Sequence, residues 1–167
     1  MHYTADLSAI PPNFRDDATP LSTPQSRPES TPEGAGPMPL TITPGAPITV
    51  EVRLNGAPLT LIVDTGADRT VISPDALARA GLAGQPGRPV EVVGVTGAAT
   101  ATLVTLPLLD VAGARIGPLP VIVYALPATI RRGVASDAID GLLGRDVLDA
   151  FTLSVDTASG RATLTLR

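Results

Sequence analysis

The chain has 167 residues, 44% of them hydrophobic, and a net charge of −4, which sets an expectation of one domain with a true core. It has no cysteine and a single histidine, His2, so disulfides, thiolate or multi-histidine metal sites, a cysteine nucleophile and a Ser–His–Asp triad are all excluded. An acidic chain with only two Tyr and two Phe does not suit nucleic-acid binding.

All 12 basic residues are Arg, and the 16 acidic ones comprise 12 Asp and 4 Glu. Schiff-base chemistry and a P-loop lysine are therefore ruled out, and acid–base work falls to carboxylates. The start, Met1-His2-Tyr3-Thr4-Ala5-Asp6, has neither a basic region nor an apolar run, unlike a secretory signal. The most apolar stretch, Ile116–Ile130, is interrupted by Pro118, Pro120 and Pro127 and is too short to span a bilayer. A cytoplasmic protein without a membrane partner is expected.

Ten of the 18 prolines fall at or before Pro47. Residues 1–37 read as a disordered Pro/Ser/Thr-rich tail, too poor in apolar surface to offset its ordering entropy. Residues 38–167 form the folded domain. Ile48–Leu54 alternates with period two, Asn55-Gly56 is a strong hairpin signal, and Leu59–Val63 returns. Thr70–Ile72 is a short strand. Ser73 caps a helix over Pro74–Ala80 that ends at Gly81. Val90–Val93 and Ala101–Leu106 flank a small-residue tip, Gly94–Ala99, read as a mobile hairpin. Strands follow near Leu108–Val111 and Val121–Tyr124, then a helix over Arg145–Ala150. A strand over Thr152–Val155, a turn at 156–160 and a last strand over Ala162–Leu166 close the chain. The fold class is mostly β with one or two short helices.

Asp64-Thr65-Gly66-Ala67 is the feature with chemical content. Leu61-Ile62-Val63 places Asp64 at the end of a buried strand, and Gly66 permits a tight turn that presents the carboxylate. Any given tripeptide arises by chance in about one chain in thirty of this length, so the triplet alone is a weak signal. Some 75 residues on comes Ile139-Asp140-Gly141-Leu142-Leu143-Gly144-Arg145-Asp146, an apolar pair, a glycine and a short helix. With both blocks in hand, the chain resembles the retroviral-type (retropepsin-like) aspartic proteases. Leu61–Ile72 is similar to their active-site segment, and Leu142–Asp146 to their second signature.

The resemblance implies a closed or orthogonal β-barrel with one lobe per chain and no cofactor or metal. It makes Asp64 the catalytic residue, with Thr65, Gly66 and Ala67 as its loop. Asp68, Leu143, Gly144 and Arg145 then support the loop, and Gly94, Val95, Thr96 and Gly97 form a substrate-covering flap. Peptide hydrolysis by carboxylates needs two of them, about 3 Å apart and sharing a proton. Asp156-Thr157-Ala158 lacks the glycine and Asp110-Val111-Ala112-Gly113 lacks the threonine. The pair must then come from a homodimer acting on a peptide or protein substrate.

The final strand, with Ala162, Leu164 and Leu166 on one face, is a ready edge for another chain or an ordinary edge strand within the subunit. Position 67 is Ala where pepsin-like enzymes carry Ser or Thr. That loses a hydroxyl favouring the ionised carboxylate, and activity is expected at mildly acidic to near-neutral pH. The flap has no aromatic, so apolar substrate side chains are expected on both sides of the cut. The absence of any capsid-like or polymerase segment favours a stand-alone cellular enzyme. The alternative is a non-catalytic retropepsin-like module for dimerisation or peptide binding. A dinucleotide fold fails, because Gly81–Gly87 follows a helix rather than a strand.

Overall fold

A computed structural model describes residues 36–94, 97–131 and 138–167. The proposed tail over residues 1–37 therefore lies, apart from Gly36 and Pro37, outside the described residues.

The hairpin signal folds as written. Strands β2 (Thr49–Leu54) and β3 (Ala57–Val63) pair antiparallel around Asn55 and Gly56. Both turn residues have positive φ, 51° and 83°, as a two-residue type I′ turn requires. Period-two alternation sends Val50, Val52, Leu54, Leu59 and Leu61 into the core. Helix α1 (Pro74–Arg79) starts where Ser73 Oγ accepts from the Ala76 N–H. Gly81 follows its C-cap at φ 74°, the left-handed geometry that ends helices. Asn55 Nδ2 donates to the Ala80 carbonyl at 2.8 Å, so the hairpin turn also satisfies the end of α1.

Twelve strands form two sheets among the described residues. The three-stranded sheet is ordered β1-β12-β11, from β1 (Met38–Leu40), β12 (Arg161–Leu166) and β11 (Phe151–Asp156). The nine-stranded sheet runs β5-β6-β9-β4-β10-β3-β2-β7-β8. Its remaining members are β4 (Val71–Ile72), β5 (Gly87–Gly94), β6 (Gly97–Leu106), β7 (Leu109–Val111), β8 (Ala114–Ile116), β9 (Leu119–Val123) and β10 (Gly141–Leu143). A bridge between Thr41 and Thr49 links the two sheets through β1 and β2. One core joins them: Leu40, Phe151, Ala162 and Leu164 belong to the same buried cluster as Leu54, Leu61 and Leu143.

The strand that organises the middle is β10. It pairs parallel with β3 on one side and antiparallel with β4 on the other. Gly141 makes this possible, because a Cβ there would collide with the Val71 carbonyl oxygen. β10 leads through Gly144 into α3 (Arg145–Leu148) and then β11.

Three expectations change. β12 is no edge: its ladder is taken by β1 on one side and β11 on the other. Met38-Pro39-Leu40, read only as the start of the domain, supplies that extra strand. A third helix, α2 (Ala128–Arg131), joins the two expected. The β5–β6 hairpin is also longer than the alternation suggested, since Ala98 and Ala99 pair with Val93 and Val92, and Gly94 faces Gly97.

Candidate active site

Asp64 follows directly on β3, and the backbone fixes its position before any side chain does. Its N–H donates to the Leu143 carbonyl at 3.0 Å, extending the β3–β10 pairing by one residue. Its carbonyl accepts from Ala67 N at 3.3 Å, closing a tight turn over 64–67. Within the turn, Gly66 N donates to Asp64 Oδ1 at 3.0 Å. Asp64 is half-buried, while Thr65 and Gly66 are exposed. The carboxylate thus stands at the rim of the fold, held from behind and open in front.

The support comes from the second motif. Arg145 N donates to the Ala67 carbonyl at 2.8 Å, and Asp146 N to the Asp68 carbonyl at 3.3 Å, so the start of α3 grips the loop through main chain. Leu143 is fully buried beneath it. Gly144 lies against the backbone of Arg69 and Thr70, where a Cβ would sit 2.5 Å from the Arg69 carbonyl carbon. Asp68 and Arg145 approach to 3.6 Å, with side-chain exposures of 87% and 56%. An exposed pair of this kind contributes little stability, so the grip of α3 rests on its amides and on Asp146.

Asp146 and Thr70 form a clasp to which the sequence alone assigns no role. Thr70 is fully buried. Its N–H lies 3.0 Å from both carboxylate oxygens of Asp146, and its Oγ1 donates to Oδ1 at 2.8 Å. The same hydroxyl accepts from Gly144 N at 3.1 Å. One threonine side chain therefore joins the strand after the Asp64 loop to the turn into α3. The signals were the acidic residue in the first turn of α3 and a threonine opening an apolar strand.

Asp140 is the second group without an assigned role. It is 7% exposed, accepts from Thr60 N at 3.0 Å, and pairs with Arg79 Nη2 at 2.6 Å. Its own N–H donates to the Thr60 carbonyl, and its carbonyl accepts from Ser73 N, both at 2.8 Å. Asp140 thereby sets the register in which β10 enters between β3 and β4.

Of the residues expected to form a flap, Gly94 and Gly97 pair across the β5–β6 hairpin, and Val95 and Thr96 lie outside the described residues. Val93, one step from the tip, is 82% exposed. Among the described residues no group of three or more metal-ligating side chains converges, and no helix is long and apolar enough to cross a membrane.

Comparison with known proteins gives two findings. The solved retropepsin-like aspartic protease from Rickettsia conorii superposes with a TM-score of 0.54 at 17% identity, covering 78% of this chain and 90% of that one. At that identity the likeness establishes the fold: mostly β, with the sheet curled into a retropepsin-like half-barrel. No relative was found among curated proteins. A family profile described as aspartyl protease matches residues 50–147, from β2 through the Asp64 loop to α3. With more than half of the sequence under that profile, the chain belongs to the aspartyl protease family.

Proposed function

We propose that the protein is an aspartic endopeptidase whose water-activating carboxylate pair consists of Asp64 from each of two copies. The observation that carries this reading is the Asp64 loop itself: a half-buried carboxylate, presented at the rim and anchored by Leu143, Arg145 and the Thr70–Asp146 clasp.

In the assembled pair, one ionised carboxylate takes a proton from water as the oxygen adds to the scissile carbonyl carbon. The protonated partner hydrogen-bonds the carbonyl oxygen and passes its proton there. Collapse of the resulting diol breaks the C–N bond, and a carboxyl proton goes to the leaving amine. Thr65 lies next to Asp64 and would bond across to the partner's loop, and exposed Gly66 would meet substrate backbone. The substrate would lie extended between the β5–β6 hairpin and the two carboxylates, held mainly through main-chain hydrogen bonds.

The test is cleavage of a diverse peptide pool, read by mass spectrometry from about pH 3 to 8. Wild type is run beside Asp64→Asn over a range of protein concentrations. Cuts that vanish in the variant and rise faster than linearly with concentration are expected. A folded, dimeric protein giving no Asp64-dependent cuts would refute the proteolytic reading in favour of a dimerisation or peptide-binding module.

A further inference from the structure

Arg69 stands apart from the other charged residues around the Asp64 loop. Asp68 approaches Arg145 at 3.6 Å, Asp140 is paired with Arg79, and Asp146 is taken up by Thr70. Arg69 is exposed, and its side chain has no hydrogen-bond or ion-pair partner among the described residues. Its main chain is the reverse case. The Asp68 carbonyl just before it accepts from Asp146 N, and the Thr70 N–H just after it lies 3.0 Å from both carboxylate oxygens of the same aspartate. The backbone at position 69 is therefore pinned on both sides, while the charged end of the side chain holds nothing.

Strand β10 fixes where that side chain starts. On one side of β10, Asp64 N donates to the Leu143 carbonyl. On the other, Gly144 lies against the main chain of Arg69 and Thr70. Asp64 and Arg69 thus flank one strand, and two strand spacings put their backbones about 10 Å apart. Gly144, which lies between them, has no side chain to separate the two. An extended peptide advances about 3.3 Å per residue. A substrate with its scissile bond at Asp64 therefore carries the second or third residue from the cut within reach of the guanidinium. The twofold relation of two copies repeats Arg69 on the other side of the bond.

We infer that Arg69 is a specificity residue, selecting substrates with an acidic side chain two or three residues from the scissile bond on either side. The inference rests on the proteolytic reading above and names the substrate class. A guanidinium offers parallel N–H donors that match a carboxylate, and a pinned backbone lowers the ordering cost of using them. An acidic residue next to the cut meets the ionised Asp64 carboxylate and is repelled, so the preference belongs to the outer positions.

The test uses the full chain and decapeptides with a Leu-Leu centre, bearing Gln, Glu or Lys at the second and third residues on each side. Cleavage is read as kcat/KM with wild type. Binding is read by fluorescence anisotropy with Asp64→Asn, which needs no turnover. Glu on one side should improve both over Gln by about fivefold, the scale of a solvent-accessible charge pair, and Lys should worsen them by a similar factor. Salt at about 1 M should shrink the spread. Arg69→Glu should invert the order, and Arg69→Gln should flatten it with little change in Tm, because the residue is exposed. Arg53→Glu, a charge reversal at an exposed position of β2, should keep the wild-type order. Peptides cut equally well whatever their charge overturn the inference and leave the protease reading intact, as does a cleavage preference for Glu that survives Arg69→Glu. Charge-ordered binding that Arg69→Glu inverts, in a protein that cuts none of the peptides, upholds the assignment and removes the proteolytic reading alone. Peptides left uncut, and either unbound or bound without regard to charge, overturn both.

Discussion

Replacing Thr70 by Val tests whether the clasp behind the Asp64 loop is structural in the way its geometry implies. The two side chains are nearly isosteric, so the change removes a hydroxyl and little else. Two bonds go with it: the 2.8 Å donation to Asp146 Oδ1 and the 3.1 Å acceptance from Gly144 N. A hydrogen bond to a charged group contributes about 1.5–3 kcal/mol, and a buried N–H left without a partner costs about 1–3 kcal/mol. Thr70 is fully buried and Gly144 is buried, so water does not replace the missing hydroxyl. Because Asp146 keeps the Thr70 N–H, the lower end of each range applies, and the loss comes to about 2.5 kcal/mol. For a domain of this size that lowers Tm by about 10 °C. Urea unfolding of wild type, Thr70→Val and Thr70→Ser, followed by circular dichroism, measures it. Serine keeps the hydroxyl and should lie within about 1 kcal/mol of wild type. A valine variant within about 0.5 kcal/mol of wild type would show that the clasp carries no net stability, and the account of how the loop is held would fail.

Asp68→Asn should behave in the opposite way, changing stability by less than about 0.5 kcal/mol in the same unfolding assay, because its 3.6 Å partnership with Arg145 is solvated. Gly144→Ala should destabilise by more than about 3 kcal/mol, since its Cβ would press on the backbone of Arg69 and Thr70 rather than on a movable side chain; near-wild-type denaturant midpoints would contradict this. Ser159 Oγ, followed by the N–H groups of Ser159 and Ala158, holds the Asp156 carboxyl below its ordinary 3.8. Ser159→Ala should raise that pKa toward the ordinary value in an NMR titration. A depressed native pKa adds stability above the ordinary value and loses it as pH falls through the native one. The variant and wild-type stability curves should therefore converge at acid pH and separate toward neutrality.

Local pattern carried much of the fold. Alternation with Asn55-Gly56 located the first hairpin, and Ser73-Pro74 with Gly81 bounded α1, because each signal acts within a few residues. What was not legible depends on distant partners. β10 is three residues long and reads as a strand only once β3 and β4 flank it. β12 looks like an edge until Met38-Pro39-Leu40, over a hundred positions earlier, closes its open side. At the site, Asp64 and the second motif stood out as paired blocks. Thr70, Asp140 and Asp146 did not, since threonines and aspartates are common and only the crossing of segments 74 and 80 residues apart gives these their bonds.

The insertion of β10 between β3 and β4 has a kinetic consequence. β3 and β4 are close in sequence yet do not pair with each other, and each waits for a strand about 70–80 residues downstream. Closing a loop of that length costs about 4 kcal/mol of chain entropy before the new contacts form, which places this sheet among slow, non-local assemblies. The Asp64 amide has no hydrogen-bond acceptor until Leu143 arrives. During synthesis the chain therefore grows with the Asp64 loop unanchored, and its backbone is fixed only after the segment carrying Leu143 and Arg145 has emerged.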